Sequence, residues 1–269
     1  DPNTPRNGGT VSTRRIDAHT HGETAGFDGD PTAYVDAIRK RGVEAVVLIE
    51  PLEQCLEAMD RFGDFIIPVA RIQMDAAYAS EVDRCLDAGC RGIKFIQPTA
   101  PYADPRYWPL YARIEDRGAV AVFHTGYLGF HGREDPPVQM EHMRAAQVEA
   151  IARRFPDLKI LMAHFSNPWW EEAWKVTLST PNVYADLSGG TAILRSTRMW
   201  ADLFAPNGEP LEASVRKLCF ASDTRYFRPE TYDFERYIDF YERILDANEL
   251  GQQLRERVNH ENVRSILNL

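Results

Sequence analysis

Eight short apolar segments recur along this chain, and each is followed by a stretch with helical or mixed character. Most are unbroken apolar runs, such as Val-Val-Leu-Ile at 46–49 and Val-Ala-Val-Phe at 120–123. Strands that are covered on both faces of a parallel sheet have this composition. The predicted strands are 14–21, 43–50, 65–72, 91–97, 119–125, 159–165, 183–188 and 218–222. Amphipathic stretches between them predict helices, among them 32–41, 52–62, 80–88 and 141–155.

Eight strand–helix units within 269 residues predict an α/β protein, a (β/α)8 TIM barrel with extra C-terminal helices packed outside it at 229–269. An open doubly wound sheet is the alternative, but no Gly-rich phosphate loop follows any predicted strand. Asn167-Pro168 is interpreted as a helix start, with Asn167 as N-cap. Residues 1–13 are predicted to be a flexible leader and 14–269 a single barrel domain.

Charge and composition restrict the partners. The chain carries 40 acidic and 31 basic residues, a net charge of −9, which disfavours nucleic acid and anionic membranes as partners. It has no apolar run long enough for a membrane span. Its four cysteines lie in apolar stretches without Cys-x-x-Cys spacing, which predicts buried reduced thiols and a cytoplasmic location. These cysteines are Cys55, Cys85, Cys90 and Cys219.

Polar residues cluster where the predicted strands end. His19 and His21 close the first strand, and because alternate side chains of a strand share a face, both imidazoles point to one place. Two imidazoles at this spacing suit a chelated metal ion. The C-terminal strand ends build the active site of a (β/α)8 barrel, so the other polar residues at these ends are candidates too. They are Lys94, Gln97, His124, His164 and Asp223.

The ordering of these motifs resembles the amidohydrolase superfamily, specifically amidohydrolase family 2. Ile16-Asp17-Ala18-His19-Thr20-His21 is similar to the opening motif of the family. The resemblance extends from Arg15 to Leu269. Its later motifs are Gly92-Ile93-Lys94-Phe95, Phe123-His124-Thr125-Gly126, Met162-Ala163-His164-Phe165, Ala221-Ser222-Asp223 and Glu261-Asn262-Val263-Arg264-Ser265-Ile266-Leu267.

The resemblance, together with ligand chemistry, implies a divalent metal held by His19, His21, His124 and Asp223. Imidazoles and one carboxylate suit Zn²⁺, or another transition metal such as Mn²⁺; one ion is favoured and a second stays open. Zinc lowers the pKa of a bound water to about 7, and Asp223 would accept its proton. His164 is expected to act as a catalytic acid or base beside the metal, or to bind a second ion.

Three residues are predicted to bind substrate: Lys94, Arg225 and Trp169. Lys94 allows three interpretations: a carboxylated bridge between two metals, an ammonium that binds a substrate carboxylate, or a side chain that points to solvent. Arg225 lies two residues after Asp223 and is expected to point inward with it. Cations near the mouth of an acidic protein indicate an anionic substrate.

The sequence therefore predicts a metal-dependent hydrolase that acts on an amide, lactone or ester in a small molecule. The alternative is a metal-dependent decarboxylase of an aromatic or unsaturated carboxylic acid, since both reactions use the same ligands. A TatD-type DNase is less well supported, because Gly92-Ile93-Lys94 stands where those enzymes have a glutamate ligand. An inactive binding barrel is disfavoured because no ligand is missing. A homodimer stays open.

Overall fold

The computed structural model describes residues 13–22, 31–129, 138–209, 211–225 and 234–269. The strands in these ranges are β1 (Arg15–His21), β2 (Val43–Glu50), β3 (Ile66–Arg71), β4 (Gly92–Phe95), β5 (Val120–His124), β6 (Lys159–Ala163), β7 (Val183–Asp186), β8 (Leu218–Cys219) and β9 (Thr224–Arg225). The α-helices are α1 (Pro31–Arg39), α2 (Leu52–Phe62), α3 (Ala79–Asp87), α4 (Trp108–Asp116), α5 (Ala145–Arg154), α6 (Trp170–Ser179), α7 (Thr197–Phe204), α8 (Glu212–Val215), α9 (Phe234–Ala247), α10 (Gln252–Glu256) and α11 (Asn262–Leu267). The predicted leader lies outside the described residues, except for Thr13.

The strands form one parallel sheet in the order β8-β7-β6-β5-β4-β3-β2-β1-β9. β8 and β9 are two pieces of the eighth barrel strand, because β8 pairs with β7 and β9 pairs with β1. Between the two pieces, the Ala18 N–H donates to the Phe220 carbonyl at 2.9 Å and the Asp223 N–H donates to the His19 carbonyl at 2.8 Å. These bonds bring the ends of the sheet together, which confirms the predicted (β/α)8 barrel.

Most barrel strands are buried on both faces, which explains their apolar runs. In β2, Val47 and Ile49 belong to the cluster inside the barrel, whereas Val46 and Leu48 belong to the cluster between the sheet and the helices. The period of two along a strand produces this division. Burial of an apolar side chain contributes about 1.5–3 kcal/mol, so both layers stabilise the barrel.

The C-terminal helix α11 fills the end of the barrel opposite the polar strand ends. Val263, Ile266 and Leu267 pack into the interior cluster. The Asn262 side-chain amide donates to the carbonyls of Arg216 (2.8 Å) and Leu218 (2.7 Å), which fixes the start of the helix beneath β8. The prediction of extra C-terminal helices is therefore confirmed, but α11 lies under the barrel floor and not outside the barrel.

The segment after β6 differs from its predicted structure. β6 ends at Ala163, before the predicted limit at residue 165, because His164, Phe165 and Ser166 all have positive φ (66°, 47° and 51°). The helix predicted to begin at Asn167-Pro168 begins at Trp170 instead. Asn167 does not cap it, since its side-chain oxygen accepts a hydrogen bond from the Thr191 hydroxyl at 3.0 Å.

Two further predictions concern the cysteines and the membrane. All four cysteines are buried free thiols, as predicted. None of the helices in the described part of the chain has the length and apolarity that a membrane crossing requires.

Candidate active site

The histidines at the strand ends meet in a cavity of about 700 Å³ at the C-terminal end of the barrel. The ring centroids of His19 and His21 lie 5.2 Å apart, those of His19 and His164 4.8 Å, and those of His124 and His164 4.6 Å. Asp223 also lines this cavity. Strands that are distant in sequence therefore bring the predicted imidazoles and the carboxylate together.

Asp223 projects from the interruption of the eighth strand, where its φ is 56°. Its Oδ1 lies 3.1 Å from Nε2 of His21 and 3.6 Å from Nε2 of His19. Burial opposes ionisation of Asp223, but His164 and the hydrogen bond from His21 outweigh it and hold the pKa of the carboxyl well below its usual range. His19, His164 and Asp223 each offer one ligand atom, and these atoms all lie within 4.8 Å of one another.

The rings of His124 and His19 are held in the neutral form that can bind a metal ion. Burial, reinforced by His164 and Lys94, holds the pKa of His124 well below its usual value. Its Nε2 is buried and has no hydrogen-bond partner in the described part of the chain. Burial and Lys94 lower the pKa of His19 to about 3. An unpaired buried nitrogen is unfavourable by about 1–3 kcal/mol, and a ligand that accepted its lone pair would remove this penalty.

His21 has a different charge state. Burial lowers its pKa, but hydrogen bonds with Asp223 and Glu50 outweigh burial and raise the pKa to about 9. Its Nδ1 donates to the Ile49 carbonyl at 3.0 Å, so Nε2 faces Asp223. A cation that bound at Nε2 would displace the proton that His21 shares with Asp223.

Lys94 lies inside the barrel mouth and is only 2% exposed. Its Nζ is 3.5 Å from Nε2 of His19. Burial lowers the pKa of Lys94 to about 8, although Asp186 and Asp223 act in the opposite direction. The interpretation in which Lys94 points to solvent is therefore wrong, and the carboxylated bridge and the substrate-binding ammonium are both left open.

The other two residues predicted to bind substrate are not placed in the cavity. The side chain of Arg225 lies outside the described part of the structure. Trp169 lines a neighbouring cavity of about 840 Å³ and is not among the described residues around the histidines. Its ring lies 5.4 Å from that of Tyr127, which lines the histidine cavity. A contact of Trp169 with substrate stays a prediction.

Three charged residues at strand ends were missed by the sequence reasoning: Glu50, Arg71 and Asp186 end β2, β3 and β7. Each is the first charged residue after an apolar run, which is the signal that singled out Asp223. Glu50 accepts a hydrogen bond from the Gly22 N–H at 2.9 Å and lies 3.8 Å from the Arg71 guanidinium. Glu50 and Arg71 both line the histidine cavity.

Two fully buried aspartates, Asp17 and Asp186, hydrogen-bond to the residues that carry the histidines and Asp223. Asp17 accepts hydrogen bonds from the backbone of His19 (3.2 Å) and of Ser222 (3.0 Å), and from the Ser222 hydroxyl (2.5 Å). It thereby ties β1 to the residue before Asp223, and burial raises its pKa to about 7. Asp186 contacts His19 and the backbone of His164.

Gly189, after β7, allows Asp223 and His164 to come close together. Its φ is +68°, and a Cβ at this position would lie 2.4 Å from Asp223 Oδ2 and 2.7 Å from His164 Nδ1. Real Cβ contacts do not occur at such distances. A larger residue therefore fits here only if Asp223, His164 or the backbone moves.

Comparison with known proteins identifies the family. The family model described as Amidohydrolase, the family 2 branch of the resemblance above, matches residues 16–269, and the chain belongs to this family. Enzymes of this family are hydrolases and decarboxylases. No curated protein sequence matches the chain.

Solved structures confirm the fold. An uncharacterised TIM-barrel protein from Bordetella bronchiseptica is 18% identical, with a TM-score of 0.67 over 95% of this chain and 98% of that chain. A probable 2-pyrone-4,6-dicarboxylic acid hydrolase from Acinetobacter baumannii, with citric acid bound, is 13% identical, with a TM-score of 0.65 over 95% and 100%. A 2,6-dihydroxybenzoate decarboxylase from Rhizobium is 15% identical, with a TM-score of 0.63 over 95% and 99%.

Proposed function

We propose that this chain is a metal-dependent hydrolase of a small anionic organic substrate with an amide, lactone or ester bond. The observation that carries the proposal is the convergence of His19, His164 and Asp223 next to the unpartnered Nε2 of His124. Four imidazoles and a carboxylate at the end of a barrel form a donor set that suits a divalent transition metal.

The donor chemistry of the site fits such an ion. The low pKa values of His19 and His124 keep both rings neutral at pH 7, and that of Asp223 keeps it ionised, which are the ligating forms. We assign His19, His21, His124 and Asp223 as the ligands, with one Zn²⁺ favoured and Mn²⁺ as an alternative. When bound, the ion would polarise the scissile carbonyl and lower the pKa of the attacking water.

The protein's own groups would move the protons. The Asp223 carboxylate would accept the proton of the attacking water. His164 Nδ1 donates to the Ser188 carbonyl at 2.9 Å, which leaves Nε2 as the basic nitrogen of its ring. His164 Nε2 would hold a proton and transfer it to the leaving group, as a general acid does.

Two cations in the cavity would select and orient the substrate. Lys94 lies at the base, next to His19, while Arg71 lies nearer the rim, where its side chain is 37% exposed. Both line the cavity, whose volume of about 700 Å³ suits a small molecule. A carboxylate bound between Lys94 and Arg71 would place the adjoining reactive carbon near the histidines.

A decarboxylase is the second candidate. The position of Lys94 favours it, because an ammonium 3.5 Å from His19 would hold a carboxylate beside the metal ligands themselves, where CO₂ would be released. His164 would then deliver the proton to the carbon that loses CO₂. The decarboxylase from Rhizobium shares the fold but not enough sequence to decide between the two reactions.

The test is a reaction panel on the metal-loaded protein, with metal content measured in parallel. We expect about one divalent ion for each chain, and release of a carboxylic acid from lactones, esters or amides that carry a second carboxylate. Release of CO₂ from aromatic acids without any hydrolysis would establish the lyase instead. Failure to retain zinc or manganese after loading would overturn the proposed metal site.

A further inference from the structure

Asp186 is a buried carboxylate at the end of β7, and no residue motif singled it out. The side chain is fully buried. Its Oδ2 lies 3.4 Å from Nδ1 of His19. Its Oδ1 accepts hydrogen bonds from the backbone N–H of His164 (3.0 Å), from the Ser188 N–H (2.9 Å) and from the Ser188 hydroxyl (2.6 Å). One carboxylate therefore contacts two elements of the candidate site.

The contact with His19 determines which ring nitrogen carries the proton. A carboxylate accepts only, so Nδ1 must be the protonated nitrogen of a neutral His19 ring. The lone pair of His19 then lies on Nε2, which faces Asp223 at 3.6 Å and Lys94 at 3.5 Å. A Lys94 ammonium can donate to that lone pair, and the Asp223 oxygen, at 3.6 Å, lies beyond hydrogen-bond distance of Nε2. The two groups within hydrogen-bond distance of the ring nitrogens, Asp186 and Lys94, therefore favour the same tautomer.

The contact with His164 acts on the backbone. His164 begins three consecutive residues with positive φ, a conformation that is unfavourable by about 1–2 kcal/mol for each residue other than glycine. Such a conformation persists only where surrounding groups hold it. Asp186 binds the His164 N–H, while the Ser188 carbonyl binds its ring Nδ1. The two bonds fix both the backbone and the ring of His164.

We propose that Asp186 is a positioning residue that holds His19 in its Nδ1–H tautomer and His164 in its left-handed turn. The inference rests on the proposed function, since the purpose of this arrangement is to present the His19 lone pair to a metal ion. Carboxylates that orient metal-binding histidines typically change metal affinity by 10–100-fold when they are replaced.

The discriminating variant is Asp186→Asn. Its amide oxygen can still accept from His164 and Ser188, but its NH₂ group would face His19 Nδ1 and favour the Nε2–H tautomer, which has no lone pair on Nε2 to offer a metal ion. Asp17→Asn is the matched control. Asp17 is an equally buried aspartate, and it accepts hydrogen bonds from the backbone of His19 and from Ser222 but not from the His19 ring. The His19 tautomer is measured in the metal-free proteins by long-range ¹H–¹⁵N NMR, with the signal assigned by comparison with His19→Gln.

We expect Nδ1–H at His19 in the wild type and in Asp17→Asn, and Nε2–H in Asp186→Asn, with Zn²⁺ affinity 10–100-fold lower by chelator competition. An unchanged His19 tautomer in Asp186→Asn overturns the inference. If Asp186→Asn does not fold, the His19 tautomer of the wild-type protein is the test, because an Nε2–H tautomer in the wild type also overturns the inference. Failure of the wild type to bind Zn²⁺ would contradict the proposed function, and the tautomer comparison would still test the role of Asp186.

Discussion

Gly189→Ala tests whether the close approach of Asp223 and His164 is essential to the site. The new Cβ would lie 2.4 Å from Asp223 Oδ2, whereas ordinary contacts begin at 3.4 Å, so the carboxylate or the loop must move by about 1 Å. A misplacement of this size lowers a rate by up to roughly 100-fold. Alanine at positive φ also destabilises the fold by about 1–2 kcal/mol, or roughly 2–4 °C in Tm for each kcal/mol.

Gly118→Ala separates these two effects. Gly118 has a similar φ of +63°, but no described heavy atom lies within 4 Å of the position of its Cβ. Gly118→Ala should therefore lose only the few degrees in Tm that positive φ causes, measured by calorimetry, and Gly189→Ala should lose at least as many because of the added clash. Only Gly189→Ala should bind Zn²⁺ more weakly by chelator competition, and only it should lose kcat/KM with the substrate that the panel identifies. Equal metal affinity and equal kcat/KM in the two variants would refute the steric argument.

Three further predictions use other residues. His19→Ala and Asp223→Asn should each abolish tight zinc retention while leaving the circular dichroism spectrum and Tm nearly unchanged; full zinc content in both would remove the proposed ligand set. Lys94→Met should keep the one ion for each chain that the wild type binds and raise KM for an anionic substrate, whereas a fall from two ions in the wild type to one in the variant would reveal a bridging lysine. Burial lowers the pKa of Lys217, which donates to the Thr180 carbonyl, to about 8, below its unfolded value near 10.5. The unfolded chain therefore binds more protons between these pH values, and wild-type stability relative to Lys217→Met should rise from pH 8 to pH 10.5; a constant difference in Tm would contradict this.

The barrel was predictable because its strands carry a simple signal. Strands buried on both faces are apolar at most positions, and Gly or Pro interrupts the joints between them. The limits of the strands were less predictable, since the left-handed turn at His164–Ser166 is set by tertiary contacts with Asp186 and Ser188 and not by local propensity.

The candidate site was predictable in part. Alternate residues of a strand share a face, which placed His19 and His21 together. The same alternation in β4 could have placed Lys94 inside the barrel, because its neighbours Ile93 and Phe95 pack against the helices. Asp186 was missed because it lies in no recognised motif. The position of Trp169 in the neighbouring cavity was not predictable, because loops are placed by contacts that sequence patterns do not encode. Its contact with substrate stays a prediction.

The packing of α11 into the floor of the barrel limits how substrate and product can enter and leave the cavity. Beneath the histidines the barrel is filled by side chains such as Ile49, Val69 and Val122, and Ile266 and Leu267 seal the far end. In the part of the chain that the structure describes, the cavity is thus closed at its floor, and a reactant and its product must both pass at the C-terminal end of the barrel. A product that leaves slowly would therefore block the entry of the next substrate molecule and act as a competitive inhibitor.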